Sequence, residues 1–396
     1  MANLSTESAG ANIAARMNAI APFYVMEIQR RALELETAGR NIIHMEIGQP
    51  DFGAPPSVRD AIIDAMRTQS LGYTDALGMR SLREGIARFY ADRFGVAIAP
   101  ERIIVTSGAS GAFLLLAGVL FERGDEVLLP APGYPCNRHF VAMFDATPVD
   151  LNVDASTHFQ PTVDMVEAAW GPSTRGIVIA SPSNPTGTSM PFDQLTAVAE
   201  LVARRSGALI VDEIYQSLSY GPRERTILES TDTAFVVNSF SKYFNLTGWR
   251  IGWIVAPEAY VPDIERLAQN AFICPSAPAQ YAALAALSPD SIKIYEARRA
   301  EFRTRRDFVV PALETIGFNV PAAPDGAFYV YADCSRFSAD SFTFAFDALE
   351  RSGVAFTPGK DFRGDSANRY VRFAYTQSMA SLVEGMDRVR RLVKTM

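Results

Sequence analysis

Short apolar runs bounded by turn residues alternate with stretches of helical period through the middle of this chain. The runs are Ile103-Ile-Val-Thr106, Glu126-Val-Leu-Leu129, Gly176-Ile-Val-Ile-Ala180, Ala208-Leu-Ile-Val211, Ala234-Phe-Val-Val237 and Ile251-Gly-Trp-Ile-Val255. Apolar runs that do not alternate, separated by helices, predict strands covered on both faces. The expected body is therefore three-layered αβα around a mainly parallel sheet. Ahead of it, Val58, Ile62, Ile63 and Met66 mark one helix, and Leu82, Ile86, Phe89 and Tyr90 a second. Between these helices Gly72-Tyr-Thr-Asp-Ala-Leu-Gly78 reads as an exposed connection holding Tyr73.

The two ends differ from the middle. From about Leu4 to Gln49 the chain starts polar, shows an amphipathic helix around Val25 to Leu35, and gives an apolar run at 42–47. The turn residues of Gly48-Gln-Pro-Asp-Phe-Gly53 predict a crossing between domains. Past Ser288 a long charged helix spans 291–316, and Gly326-Ala-Phe-Tyr-Val-Tyr331 alternates like a half-buried strand. A helix over 341–352, a run at 353–356, a strand at 370–374 and a helix from Ser378 complete a smaller α+β domain. The expected division is 1–50 as an N-terminal segment packing with the small domain, 51–288 as the large domain and 289–396 as the small one. No internal repeat or low-complexity tract interrupts it.

Composition narrows the class. The 396 residues are 48% hydrophobic and 20% charged, ordinary for a globular enzyme. A net charge of -7 argues against nucleic-acid and anionic-membrane partners. No run approaches the roughly 20 apolar residues that span a bilayer. The start Met1 to Glu7 lacks the basic and apolar regions of a secretory signal. Cys136, Cys274 and Cys334 are odd in number and far apart, and His44, His139 and His158 are scattered. That usage predicts no metal site and a reducing, cytoplasmic setting.

Ligands of such sheets bind beyond the carboxyl ends of the strands, so chemistry should fall just after each run. After the first comes Ser107-Gly-Ala-Ser-Gly111, whose small residues open a helix toward an anion. After the second, Pro130-Ala-Pro-Gly-Tyr134 holds an aromatic that either stacks on a cofactor or packs at the surface. After the third, Ser181-Pro-Ser-Asn184-Pro-Thr-Gly187 places an amide in a structured turn. After the fourth, Asp212-Glu-Ile-Tyr215 sets a carboxylate at a buried strand tip, where it needs a cation such as a protonated pyridine nitrogen, or caps the following helix. After the fifth, Asn238-Ser-Phe-Ser-Lys242 carries a lysine whose desolvation makes its amine nucleophilic. Ser239 and Ser241 flank it, and Arg250, eight positions later, offers a fork of donors for phosphate. Each has a plainer structural role taken singly. Together they match different atoms of pyridoxal phosphate, with Lys242 as its Schiff-base amine.

These motifs, with Gly48-Gln-Pro-Asp-Phe and Tyr370-Val-Arg-Phe, resemble the class I/II aminotransferases of the fold-type I pyridoxal phosphate enzymes from about Pro22 to the C-terminus. The resemblance implies that Lys242 carries the cofactor and shuttles the substrate Cα proton. Asp212 would keep the pyridine nitrogen protonated, Asn184 and Tyr215 would hold the ring oxygen, and Tyr134 would stack on the ring. Arg250, Ser239, Ser241, Ser110 and the Ala109 amide would grip the phosphate. Arg372 would bind the substrate carboxylate, near the Gly48 backbone and Asn184. Tyr73 would reach the phosphate of a neighbouring subunit, making a homodimer. The implied reaction moves an amino group between an amino acid and a 2-oxo acid by ping-pong chemistry.

Departures from the family bear on the substrate. A dicarboxylate-specific branch has a lysine where this chain has Ser110, and another supplies an arginine in the region Phe272 to Gln280, which has none. Arg138 remains as a candidate cation, while Phe23, Tyr24, Phe328 and Phe362 point to a neutral or aromatic substrate. Two rivals stay open: a lyase or synthase on the same scaffold, and a ligand-sensing regulator. Against the second, the roughly 20 residues ahead of the resembling stretch are too few for a DNA-binding domain.

Overall fold

The computed structural model describes residues 13–221, 224–364 and 366–396. The polar start from Leu4 and the reading of Met1 to Glu7 lie outside them. Among the described residues eleven strands form two sheets: β1 (Ile43–Met45), β2 (Ile103–Thr106), β3 (Glu126–Ala131), β4 (Thr147–Asn152), β5 (Thr174–Ala180), β6 (Ala208–Asp212), β7 (Phe235–Ser239), β8 (Gly252–Val255), β9 (Tyr329–Asp333), β10 (Val354–Pro358) and β11 (Tyr370–Ala374).

Seven of them make the large sheet, in the order β2-β8-β7-β6-β5-β3-β4. All but the marginal β4 are largely buried because helices cover both faces, which is why their sequences are runs without alternation. Strand β8 is antiparallel to both neighbours, with Val237 opposite Ile254 and Ile104 opposite Ile254. The expectation that chemistry follows every run therefore fails at β8. Its start, not its end, shares an edge with the tips of the parallel strands. Register fixes that edge: Ala180 pairs with Asp212, Ser239 with Gly252, and Gly252 with Thr106. Strand β4 went unforeseen because Thr147-Pro-Val-Asp-Leu-Asn is a mostly half-exposed sheet margin with little apolar signal.

The small sheet runs β1-β10-β11-β9. β1 is parallel to β10, pairing Ile43 with Val354. Arg372 on β11 sits opposite Tyr331 on β9 and Thr357 on β10. β9 is wholly buried rather than half-buried. One reason is that Tyr331 packs on Phe159 of the large layer at 5.7 Å, which covers the face expected to meet solvent.

One helix links the two bodies, running Pro289–Ile316. Ser288 caps its start by accepting from the Ser291 N–H, and Gly317 ends it in the left-handed conformation. The helix expected over 341–352 is α-helical over Ser341–Asp347 and continues as a π-helical turn to Ser352. Among the described residues no helix is long and apolar enough to cross a membrane.

Candidate active site

The shared edge of the large sheet and the facing edge of the small one enclose a cavity of about 270 Å³. Gly48, Ala109, Ser110, Tyr134, Asn184, Asp212, Tyr215, Ser239, Ser241, Lys242, Arg250 and Arg372 all line it. Tyr73 does not: its side chain lies outside, 84% exposed.

At one end, the helix Gly108–Leu120 opens onto the cavity with Ala109 and Ser110. Gly108 has φ +72°, and a Cβ there would meet Arg250 Nη2 at 2.6 Å. Glycine thus lets the guanidinium approach the helix start, where free N–H groups and the helix dipole favour an anion. Arg250 itself has φ +54° and donates from Nη1 to the Thr247 carbonyl at 3.1 Å. Ser239 and Ser241 hydroxyls meet at 2.9 Å on the same side. This is a cradle of cation, hydroxyls and backbone donors suited to a phosphate.

In the middle, Lys242 Nζ donates to the Gly48 carbonyl at 2.7 Å and lies 5.8 Å from the ring centres of Tyr215 and Phe328. Burial, with the charges of Arg372 and Arg250 next in weight, brings its pKa down to about 8. Burial acts on Asp212 in the opposite direction, raising it to about 6 against the Ile214 N–H and the Lys242 charge. Asp212 Oδ1 accepts from the Ile214 N–H at 3.0 Å, so it both caps its turn and faces the cavity. A buried carboxylate there lacks a strong cationic partner among the described residues, which a protonated ring nitrogen would supply. Pyridoxal phosphate therefore fits the donors present at both ends of its ring.

At the far end, Arg372 Nη1 donates to the Asn184 side-chain oxygen at 2.8 Å, and Nη2 donates to Thr357 Oγ1 at 3.0 Å and to the Glu46 carbonyl. Its Nε is buried with no hydrogen-bond partner among the described residues. An orphaned guanidinium donor beside a cavity asks for an acceptor such as a carboxylate.

Several cavity residues carried no sequence signal. Tyr329 sits beneath Arg372, whose guanidinium lies 4.4 Å from its ring centre, and its hydroxyl meets that of Tyr215 at 2.8 Å. A Cβ at Gly48 would collide with that same Tyr329 hydroxyl. Glu46, Ile47, Phe113, Phe140 and Thr247 also line the cavity. Of the apolar candidates, Phe23 lines it together with Val25 and Met26. Tyr24 instead packs edge-on to Phe342 at 5.4 Å, Phe328 is wholly buried behind Tyr215, and Phe362 lies against Arg372 at 4.9 Å. Arg138 is held by Asp150 at 3.0 Å. No group of three or more His, Cys, Asp or Glu is placed to hold a metal among the described residues.

Comparison with known proteins gives one family. The model of "Aminotransferase class I and II" matches residues 40–389. The valine–pyruvate aminotransferase of Mycobacterium tuberculosis is 37% identical over 372 residues, covering 93% of this chain and 96% of that protein. A crystal structure of an aminotransferase from Mycobacterium tuberculosis superposes with a TM-score of 0.94 at 36% identity, over 98% of this chain and all of that one. Aspartate aminotransferase from Thermus thermophilus with maleate gives 0.92 at 30% identity, over 97% and 100%.

Proposed function

The chain belongs to the class I and II aminotransferases, and we propose that it is pyridoxal phosphate-dependent, passing an amino group from a neutral, apolar or aromatic amino acid to a 2-oxo acid by ping-pong chemistry. Bound pyridoxal phosphate supplies a carbonyl that takes up the amino group and a ring that accepts the electron pair left at the substrate Cα. Lys242 would hold the cofactor and move the proton at the substrate Cα; an amine with a pKa near 8 is matched to that task at neutral pH. Asp212 holds a proton on the ring nitrogen. Asn184 and Tyr215 would hold the ring oxygen, and Tyr134 would supply an aromatic face for the ring. Arg250, Ser239, Ser241, Ser110 and the Ala109 N–H bind the phosphate.

Arg372 binds the substrate carboxylate, beside the Gly48 backbone and Asn184. The observation that carries the reading is the pairing of these two ends: a cradle for one anion and a buried, partly unpartnered arginine for another, with Lys242 between them. The apolar wall of Phe23, Val25 and Met26, with Arg138 already committed to Asp150, supports an uncharged side chain. The valine–pyruvate relative agrees with that class. We further propose a homodimer in which the exposed Tyr73 serves the neighbouring site, and a cytoplasmic setting, supported by three free cysteines.

The test is a half-reaction screen. Single amino acids, including valine, alanine, aspartate, glutamate, methionine and the aromatics, are mixed with holoenzyme while the visible absorption of its cofactor is followed. Loss of the band with one equivalent of 2-oxo acid per site identifies the donor. Release of ammonia or a cleaved side chain over many turnovers, with the band retained, would make the enzyme a lyase.

A further inference from the structure

Lys242 is tied at both ends into a closed ring of contacts that leaves the cavity and returns. Its Nζ donates to the Gly48 carbonyl at 2.7 Å. Five residues on, the Gly53 carbonyl accepts from Arg298 Nη1 at 2.7 Å. The same nitrogen donates to Asn245 Oδ1, also at 2.7 Å. Asn245 Nδ2 then donates back to the Lys242 carbonyl at 2.9 Å, and its own backbone N–H reaches that carbonyl at 3.1 Å.

The ring joins three pieces of chain: the crossing segment 48–53, the lysine loop and the linking helix Pro289–Ile316. Asn245 is 5% exposed and has φ +53°, a left-handed conformation that asparagine tolerates better than other side chains. Arg298 lies with its guanidinium 5.0 Å from the ring centre of Phe52, inside the crossing segment. Two residues earlier on the same helix, Glu296 accepts from the Tyr243 hydroxyl at 2.6 Å. The helix therefore grips two residues just after Lys242 together with the crossing segment, and lines no part of the cavity.

We infer that Arg298 and Asn245 are positioning residues that set the reactivity of the Lys242 amine, by holding the lysine loop and the crossing segment in one register. The inference rests on the reading of Lys242 as the reacting amine. Its physical content is desolvation. The amine is brought to a pKa of about 8 chiefly by burial. Burial requires the loop to keep Nζ between Tyr215, Phe328 and the Gly48 carbonyl. A slack loop lets water reach the amine and returns it toward an ordinary lysine.

The experiment reads the amine directly. The chain has four lysines, and Lys293, Lys360 and Lys394 are exposed, so they serve as internal references. Cofactor-free protein is labelled with trace acetic anhydride across a pH series, and Lys242 acetylation is measured by peptide mass spectrometry. Two variants are compared. Arg298→Lys keeps the positive charge but shortens the reach of the nitrogen that meets both acceptors and removes the planar group beside Phe52. Asn245→Gly keeps the left-handed backbone and removes the side-chain bridge. Both should move the Lys242 midpoint upward by about one pH unit, roughly a tenfold fall in free amine at neutral pH. The cofactor-bound forms should lose kcat with KM little changed. Unmoved midpoints in both variants, with melting temperature lowered or not, would overturn the inference. Should Arg298→Lys fail to fold, Asn245→Gly decides alone. A wrong assignment of Lys242 would show separately, as borohydride-fixed cofactor found on another residue.

Discussion

Arg372 Nη1 and the Asn184 side-chain oxygen lie 2.8 Å apart, one on the small sheet and one on the turn after β5. The hydrogen bond fixes more than the arginine. It uses the amide oxygen of Asn184, leaving Nδ2 as the group able to donate into the cavity. One side chain thereby orients donors for two different anionic atoms.

Replacing Arg372 by lysine keeps the charge and loses the fork. The lysine cannot reach Asn184, Thr357 and the Glu46 carbonyl together and still present a donor to substrate. KM for the amino acid should rise roughly 10- to 100-fold, since charge-assisted hydrogen bonds contribute about 1.5–3 kcal/mol each. Cofactor affinity, read by equilibrium dialysis, should stay within about threefold of wild type. An equal loss of both would place Arg372 in cofactor rather than substrate binding.

The Tyr215–Tyr329 hydroxyl pair makes a second test. Both rings are buried, and desolvation holds the Tyr215 hydroxyl well above its usual pKa. Either phenylalanine substitution leaves a buried hydroxyl without its partner. The single variants should each lose stability, and the double variant should lose less than their sum, with a coupling of about 1 kcal/mol in urea unfolding. Additive losses would mean that the 2.8 Å contact contributes nothing.

How far the sequence announced this site follows from which strand each residue sits on. Asp212, Asn184 and Lys242 follow apolar runs of parallel strands, and the tips of such strands share one edge, so their convergence was legible. Arg250 precedes its strand, because β8 is antiparallel; the motif around it, not the strand rule, singled it out. Tyr329 and Glu46 were not legible. They belong to the small sheet, and only its docking on the large one brings them to the cavity. The inward face of β9 is set by contacts such as Tyr331 on Phe159, residues 172 positions apart by subtraction. Nothing in the local alternation of 326–331 records a partner that distant.

Asp212 gives the pH dependence. Its folded pKa of about 6 stands above the ordinary value of 3.8, so the folded cofactor-free protein binds more protons than the unfolded chain between those limits. Stability should then be fullest below about pH 4 as far as this group is concerned, and fall as pH rises through about 6, by roughly 2–3 kcal/mol. Asp212→Asn should make that slope shallower by its own share and stabilise the cofactor-free protein at pH 7, while Glu213 and Asp361, both also raised by burial, keep theirs. The same variant should bind cofactor far more weakly and lose turnover by orders of magnitude, because the ring nitrogen loses its counter-charge. Calorimetry of the two cofactor-free proteins from pH 4 to 7 checks the first part. An undiminished slope in Asp212→Asn would assign the whole of it to other buried carboxylates, such as Glu213 and Asp361.

Tyr73 offers the sharpest test of assembly, because its side chain is 84% exposed and outside the cavity that holds the other candidate cofactor and substrate-carboxylate contacts. If it completes the site of a second copy, two defective chains can repair each other. Lys242→Ala lacks the amine but keeps Tyr73; Tyr73→Ala lacks the tyrosine but keeps the amine. Each alone should have little activity. Mixed, unfolded and refolded in equal amounts, half the dimers should be hybrids, and each hybrid should hold one intact site built from Lys242 of one chain and Tyr73 of the other. Activity should recover to about a quarter of wild type, the fraction that random pairing in a two-fold dimer gives. Recovery no greater than the average of the two parents would mean that Tyr73 does not serve the site of a second copy.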